Sequence, residues 1–470
     1  MPMMVSVSGI RGIVGKDLTP PTIVSYISGF AHILRVENKK KDNTRGKPTV
    51  LIGRDTRPSG EYIHKLVEGT LNALGFNTID IGIATTPTVL LATKKLRCTG
   101  GIAITASHNP SQWNALKFCD ARGLFLTNDR INKIEQHTAK STGSKNKWSD
   151  YAHAGHPRIE KGASTLHIQE VLNHIDVDSI RKKKFRVAVD PAGGTGCMID
   201  REFLEALGCT VIGVYDHPES EFPREPEPVP QNLSMLEKLV QIKNADIGFA
   251  QDPDGDRLSI VSDEGIALGE EYTLVLAGEA FLRKETTEIV CNLSTSLMVE
   301  RLAQRYSVSV IRTKIGEINV TVEMLKRVSK FGGEGNGGVI VPGINPCRDS
   351  IVAMGLVLEL LAVELLADEN RSLSRIVDGL PRFYMKKDRA AVPEMDRNRL
   401  YGLVHDSTRE IFPNHSCSTQ DGIKYYNNSE WLHMRTSNTE PIVRIIAESE
   451  ETERTNELIG IGKKCLRAIR

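Results

Sequence analysis

Thr49-Val50-Leu51-Ile52-Gly53, then helical apolar spacing over Tyr62–Leu74, a stop at Gly75 and the apolar run Thr78–Ile81, form the stretch that decides the fold. The first run is short and β-branched, as a buried strand is. Gly75 stands where a helix ends in a left-handed turn. Strand, helix and strand in so short a span predict a parallel pair joined by a crossover helix. The pattern recurs twice. Phe185–Asp190, a helix over Met198–Leu207, Gly208 and Thr210–Tyr215 repeat it, and Ala206-Leu207-Gly208 echoes Ala73-Leu74-Gly75. Glu288–Asn292, a helix near Leu297–Tyr306 and Ser307–Arg312 repeat it again. The expected fold is α/β: three related domains with mixed, mainly parallel sheets. The end of the chain differs. Lys386–Pro413 is charged with one helical stretch, Trp431–Arg435 and Val443–Glu448 read as strands, and Thr452–Ile469 reads as a closing amphipathic helix. A smaller C-terminal α+β domain is expected, with divisions at 1–155, 156–256, 257–378 and 379–470.

Length and charge narrow the function. A chain of 470 residues exceeds what one hydrophobic core supports. Lys+Arg total 60 against 59 Asp+Glu, a net charge of +1, which leaves no basic surplus for nucleic acid or an anionic membrane. A small anion in a local pocket is compatible with that balance. Eight cysteines with no CxxC pair make neither a disulfide framework nor a zinc ribbon, and predict reduced thiols in a cytoplasm. Met1-Pro2-Met3-Met4-Val5 has no basic segment ahead of an apolar run, so no secretory signal is expected. Ile351–Ala367 is the most apolar stretch, but Glu359 and Glu364 interrupt it, and a helix buried in the core is expected there.

Four short constellations carry chemistry. Asp252-Pro253-Asp254-Gly255-Asp256-Arg257 follows the apolar run Ile247–Ala250, at the carboxyl end of a strand, where open α/β sheets bind ligands. Three carboxylates so close repel one another unless a cation neutralises them, and Pro253 and Gly255 enforce a turn that can aim all three inward. A hard divalent ion such as Mg²⁺ suits them; an EF-hand does not, because Arg257 falls at its glycine and Asp263 at its closing Glu. Thr105-Ala106-Ser107-His108-Asn109-Pro110 follows the strand Gly101–Ile104. Ser107 has no G-x-S-x-G elbow, so phosphoryl carriage beside a metal loop fits it better than acyl chemistry. His108 and Lys117 offer positive charge or acid–base help.

Gly332-Gly333-Glu334-Gly335-Asn336-Gly337-Gly338 lets the backbone approach a ligand, while Glu334 and Asn336 offer groups suited to sugar hydroxyls. Arg435-Thr436-Ser437-Asn438-Thr439-Glu440-Pro441 makes a phosphate cradle from Arg435, Ser437, Asn438 and Thr439. No Walker A sequence occurs, so a nucleoside triphosphate is not implied. Gly194-Thr195-Gly196, with Asp216 after the next strand, imitates a dinucleotide fingerprint; Ile199 stands at its third glycine, and the loop reads as structural.

In this order the four motifs resemble the α-D-phosphohexomutase family over nearly the whole chain. The resemblance implies that Ser107 carries a phosphoryl group. It implies one Mg²⁺ per chain, held by Asp252, Asp254, Asp256 and phospho-Ser107. The Glu334 loop would read the sugar and the Arg435 loop its phosphate, with Arg257 and Asn336 in the substrate-binding set. Gly9-Ile10-Arg11-Gly12 and Gly53-Arg54-Asp55-Thr56-Arg57 match smaller pieces of the family, which adds Arg11 to the catalytic set with His108, and Lys117 falls at an acid–base position. The family places its four domains around a central cleft. The implied reaction moves phosphate between O1 and O6 of a hexose through a hexose 1,6-bisphosphate, in the cytoplasm, in a monomer or homodimer. Nucleic acid and membrane are not expected partners.

Asn336 replaces the family's common Ser, and Val5-Ser6-Val7 its common aromatic-Gly-Thr. Arg312-Thr313-Lys314-Ile315-Gly316, Arg348-Asp349 and Thr439-Glu440-Pro441 lean toward phosphoglucosamine mutases, with mannose and glucose phosphates as alternatives. Two rivals stand beside this expectation. An aspartate-dependent phosphatase or mutase would use Asp252 and Asp254, and would leave Ser107 and the Arg435 loop without tasks. A non-catalytic sugar-phosphate sensor would have no use for a phosphoryl carrier.

Overall fold

The structure is a computed structural model and describes residues 3–7, 9–40, 46–140, 148–219, 221–391, 395–436 and 442–468. The chain forms two compact units: Pro2–Ala280 with Asn336–Ser374, and Phe281–Gly335 with Arg375–Arg470.

The first unit holds a seven-stranded sheet in the order Met4–Ser6, Gly9–Ile13, Trp113–Asp120, Gly100–Ile104, Thr49–Arg54, Asn77–Ile83, Pro157–Ile159. The last four pair in parallel and the other neighbours antiparallel. From Thr49–Arg54, the helix Gly60–Ala73 leads to Asn77–Ile83 on one side. The helix Thr86–Lys95 then brings the chain back to Gly100–Ile104 on the other. The gap between the carboxyl ends of Thr49–Arg54 and Gly100–Ile104 is therefore a topological switch point, where a crevice opens. Gly75 stops the first helix with φ +80°, as its position predicts.

A four-stranded sheet repeats the plan, in the order Leu258–Val261, Ile247–Gln251, Arg186–Asp190, Thr210–Gly213. Arg186–Asp190 has parallel neighbours on both sides, so a second switch point lies between Asp190 and Gln251. The helix expected over Met198–Leu207 is a 3₁₀ turn, Thr195–Met198, followed by the helix Asp200–Ala206. The next strand stops at Gly213, and Tyr215 beyond it turns left-handed at φ +52°. The antiparallel strand Trp113–Asp120 had not been anticipated. It puts Lys117 beside Ala103, one strand from Ser107.

The apolar stretch is the helix Ser350–Ala367, with a mean hydropathy of 2.2 and 72% of its length buried. Gly355 lets it approach closely: an added Cβ would sit 3.0 Å from Ile175 and 3.3 Å from Phe203. Around the larger sheet, Ile27, Phe30, Ile52, Val67 and Phe118 form the core.

In the second unit, Ile289–Asn292 has Val310–Thr313 and Phe331–Glu334 as parallel neighbours. The helix Met298–Arg305 precedes the one and Glu317–Arg327 the other, which makes a third switch point between Asn292 and Glu334. The strand expected from Ser307 begins at Val310, because Ser307 is left-handed at φ +54°. The C-terminal sheet is antiparallel throughout: Tyr384–Ala391, Ile442–Ser449, Glu430–Thr436, Ile423–Tyr426, Ser416–Ser418. The helices Arg397–Thr408 and Thr452–Ala468 supply Leu400, Val404, Leu458 and Ile459 to its core. Tyr384–Ala391 overlaps the start of the stretch Lys386–Pro413 read as charged with one helix. It is an exposed edge strand, and edge strands carry charge that discourages further pairing.

Candidate active site

Ser107 follows Gly100–Ile104 at the first switch point. Its backbone is left-handed, φ +51°, a conformation that costs a serine about 1 kcal/mol. Arg57 holds it there. This buried guanidinium pairs with Asp55 at 2.9 Å and donates to the carbonyls of Ser107 (2.5 Å), Asn109 (2.7 Å), Pro110 (2.7 Å) and Trp113 (3.1 Å). One side chain thus fixes the whole turn. Thr105 Oγ1 accepts the Ser107 N–H at 3.0 Å. So aimed, Ser107 Oγ donates to Asp252 Oδ2 at 2.8 Å, while His108 Nδ1 lies 3.4 Å away. Burial, then the guanidiniums of Arg257 and Arg11, hold His108 well below the usual imidazole range. Arg11 Nη1 donates to Asn109 Oδ1 at 2.5 Å, and burial lowers the Arg11 pKa to about 10.

The three aspartates follow Ile247–Gln251 at the second switch point. Gly255, at φ +65°, permits the turn that gathers them, and an oxygen from each lies within 4.8 Å of the others. Each is partnered differently. Asp252 Oδ1 accepts the N–H groups of Asp256 and Arg257, both at 3.2 Å. Asp254 Oδ2 accepts Lys117 Nζ at 2.6 Å and Thr86 Oγ1 at 2.7 Å. Asp256 Oδ2 accepts Arg348 Nη2 at 2.5 Å, with Lys117 Nζ 3.8 Å away. Arg257 pairs with Glu227 at 3.0 Å. Oδ1 of Asp254 and Oδ1 of Asp256 are nevertheless buried without a hydrogen bond.

Burial, then the charges of Asp254 and Asp256, push Asp252 well above the usual carboxylate range. Burial acts on Asp254 too, but Lys117 and Thr86 outweigh it and hold that group low. An all-oxygen cluster with two orphaned carboxylate oxygens and a third carboxyl resisting ionisation is short of positive charge. Its donor set fits a hard divalent cation.

The glycines that imitated a dinucleotide loop serve this cluster. Thr195 donates N–H and Oγ1 to the Pro253 carbonyl at 2.8 and 3.0 Å, and a Cβ on Gly194 would fall 2.6 Å from Pro253. Below them, Ser350 Oγ donates to the Gly255 carbonyl at 2.6 Å and accepts Gln251 Nε2 at 2.7 Å.

In the second unit, buried Glu334 ends its strand at the third switch point. Its Oε1 accepts Asn292 Nδ2 at 2.8 Å and the Gly316 N–H at 3.1 Å. Asn336 belongs to the first unit, and its buried Oδ1 has no hydrogen bond. Arg435 stands on the strand Glu430–Thr436 with Nε 4.0 Å from Asp421 Oδ2. Ser437, Asn438 and Thr439 lie outside the described residues.

Four contributors were missed in sequence: Thr86, Asn292, Arg348 as a partner of Asp256, and Arg57 as the clamp. Arg57 lay in a motif already singled out. Thr85-Thr86-Pro87 carried a readable signal, since Thr ahead of Pro marks a helix N-terminus, and Thr85 accepts the Thr88 N–H there.

Three family profiles match the chain: phosphoglucomutase/phosphomannomutase alpha/beta/alpha domain I over residues 3–145, domain II over 165–265 and domain III over 269–384. A phosphoglucomutase/phosphomannomutase of Thermococcus kodakarensis is 32% identical over 97% of both chains. A probable phosphoglucosamine mutase of Methanopyrus kandleri is 31% identical over 98% of both. The crystal structure of a phosphoglucomutase/phosphomannomutase family protein from Burkholderia thailandensis superposes with a TM-score of 0.82, at 22% identity, covering 99% of this chain and 98% of its own. With matches along most of its length, this chain belongs to the phosphoglucomutase/phosphomannomutase family.

Proposed function

We propose that this chain interconverts a hexose 6-phosphate and a hexose 1-phosphate, with glucosamine phosphate as the preferred substrate. One observation carries the reading: Ser107 Oγ, at one switch point, lies 2.8 Å from Asp252 Oδ2 at another. A hydroxyl held that close to a cation-seeking cluster is placed to carry a phosphoryl group. The aspartate-phosphatase rival gives that contact no task.

Phospho-Ser107 passes its phosphoryl group to the free hydroxyl of the sugar phosphate. The P–O bond to serine breaks, a new P–O bond to the sugar forms, and a hexose 1,6-bisphosphate results. After the bisphosphate turns round, Ser107 Oγ takes back the other phosphoryl group. Both esters are of similar kind, so both steps are reversible. Asp252, Asp254 and Asp256 would hold one Mg²⁺, which when bound neutralises charge developing on the transferred group. Arg57 and Thr105 keep Ser107 aimed. Lys117 Nζ is held at Asp254, where it can exchange a proton with a sugar hydroxyl. Arg11, Arg257 and His108 supply donors around the phosphoryl group. Glu334 and Asn336 would contact sugar hydroxyls, and Arg435 with Ser437, Asn438 and Thr439 would hold the phosphate at rest.

Mass spectrometry tests the carrier: a stable phosphate on Ser107 is expected, and a labile acyl phosphate on Asp252 would overturn the reading. The sugar is tested by side-by-side assays of glucosamine, glucose, mannose and N-acetylglucosamine phosphates, primed with hexose bisphosphate. Glucosamine phosphate is expected to be fastest. The name of the Thermococcus relative favours a second reading, glucose and mannose phosphates, which comparable rates on all would support.

A further inference from the structure

The Arg435 strand and the Glu334 loop are joined by a closed circuit of hydrogen bonds within the second unit. Asp421 Oδ2 accepts the Ile315 N–H at 3.0 Å. The next residue's N–H, that of Gly316, goes to Glu334 Oε1 at 3.1 Å. Glu334 Oε1 also accepts Asn292 Nδ2, and Asn292 Oδ1 accepts the Ser294 N–H at 2.8 Å. Ser294 Oγ meets His433 Nδ1 at 2.9 Å, and His433 Nε2 returns to the Asp421 carbonyl at 2.6 Å.

Each link has a defined direction. A carbonyl only accepts, so Nε2 of His433 carries the proton, and Nδ1 must accept from the Ser294 hydroxyl. Burial keeps the ring neutral, pushing its pKa to about 4, which preserves this pattern at neutral pH. The circuit has no slack at its corners. His433 is fully buried, and Gly422 packs so closely that a Cβ there would lie 2.3 Å from the Met434 carbonyl.

His433 lies two residues before Arg435 on one strand, and Asp421 Oδ2 lies 4.0 Å from Arg435 Nε. We propose that Asp421 and His433 are positioning residues that lock the phosphate-binding Arg435 to the sugar-binding Glu334, so that both ends of one sugar phosphate are read together. This rests on the roles given above to Arg435 and Glu334. Neither Asp421 nor His433 needs to touch the substrate. Asp421 sets the strand's height by way of Ile315, and His433 sets it by way of Ser294. A substrate whose phosphate-to-hydroxyl span departs from that spacing then loses both contacts together.

The test is a double-mutant cycle on binding, read by calorimetry on the full chain with glucosamine 6-phosphate as the probe. Glu334→Gln and Arg435→Lys are made singly and together, first in the native chain and then with His433→Leu or Ser294→Ala. In the native chain the combined loss of affinity should differ from the product of the single losses by at least about 5-fold, a coupling of about 1 kcal/mol. With either circuit variant it should fall to the product within about 2-fold. Ser294→Ala leaves the buried ring in place, so it decides the matter if His433→Leu does not fold. Native-like coupling in Ser294→Ala, or no coupling in the native chain, overturns the proposal. A native chain that binds and turns over sugar phosphates without coupling overturns this proposal alone. One that binds none overturns the parent reading as well.

Discussion

The carboxyl ends of Ile247–Gln251 and Phe331–Glu334 occupy the same place in their respective repeats, yet they hold opposite electrostatic situations. After the first come three buried carboxylates, of which Lys117 and Arg348 pair directly with two, and two of the carboxylate oxygens lack any donor. The second ends in a single carboxylate already engaged by Asn292 and Gly316. The fold supplied the same crevice twice. The loop residues then gathered three carboxylates whose donor set fits a cation at one of them, and left at the other a carboxylate whose Oε1 already accepts two donors. Topology locates a site, and the balance of donors and charges within it decides what it takes.

Substitutions can break this contrast in steps of decreasing size. Ser107→Ala removes the group the cation seat serves, and should lower turnover by about 10⁴-fold with the fold intact, measured by mutase assay and circular dichroism. A near-native rate would end the carrier role. Asp254→Asn should cost about 10³-fold in turnover and weaken Mg²⁺ binding with it, as seen by titrating activity restored to chelator-treated protein. The Glu334 side yields a pH effect through His433. The unfolded His433 binds a proton near 6.5 and the folded one only near about 4. Between those values the unfolded state holds more protons, so stability falls as pH drops from about 6.5 to about 4, by about 3 kcal/mol, and is complete above that window. Urea midpoints at pH 7 and 4.5 should show that slope, and His433→Leu should flatten it. Smallest is Glu334→Gln, which should lower kcat/KM about 10-fold while Mg²⁺ affinity stays native. A loss of metal affinity there would erase the distinction between the two loops.

The features legible in sequence were those written in local pattern. Gly75 and Gly208 marked helix ends because a left-handed turn has few other occupants, and both have positive φ. Asp252, Asp254 and Asp256 were legible because three charges in a tight turn need a shared explanation. What stayed hidden depends on residues distant in the chain. Thr86 reaches Asp254 across 168 positions and Arg348 reaches Asp256 across 92; the Thr-Pro pair marks a helix start, but nothing local to either residue points to its aspartate. Tyr384–Ala391 was hidden by its own exposure, since an edge strand facing water carries little apolar alternation.

The helix Ser350–Ala367 has a consequence for synthesis. It has the length and hydropathy of a bilayer-crossing segment, yet its place is beside Ile175 and Phe203. The unit that encloses it pauses at Ala280 and resumes at Asn336. A ribosome adding ~5–20 residues per second needs on the order of 4–14 seconds to travel from Ala280 to Ser350. The segment that packs beside Ile175 and Phe203 is therefore made late, as an apolar stretch of bilayer-crossing length. Glu359 and Glu364 are its only charges. A charged side chain near mid-membrane costs about 2.5–3.5 kcal/mol on insertion. Glu359, near the middle of the segment, therefore disfavours the bilayer as an alternative to the buried place the fold gives this helix.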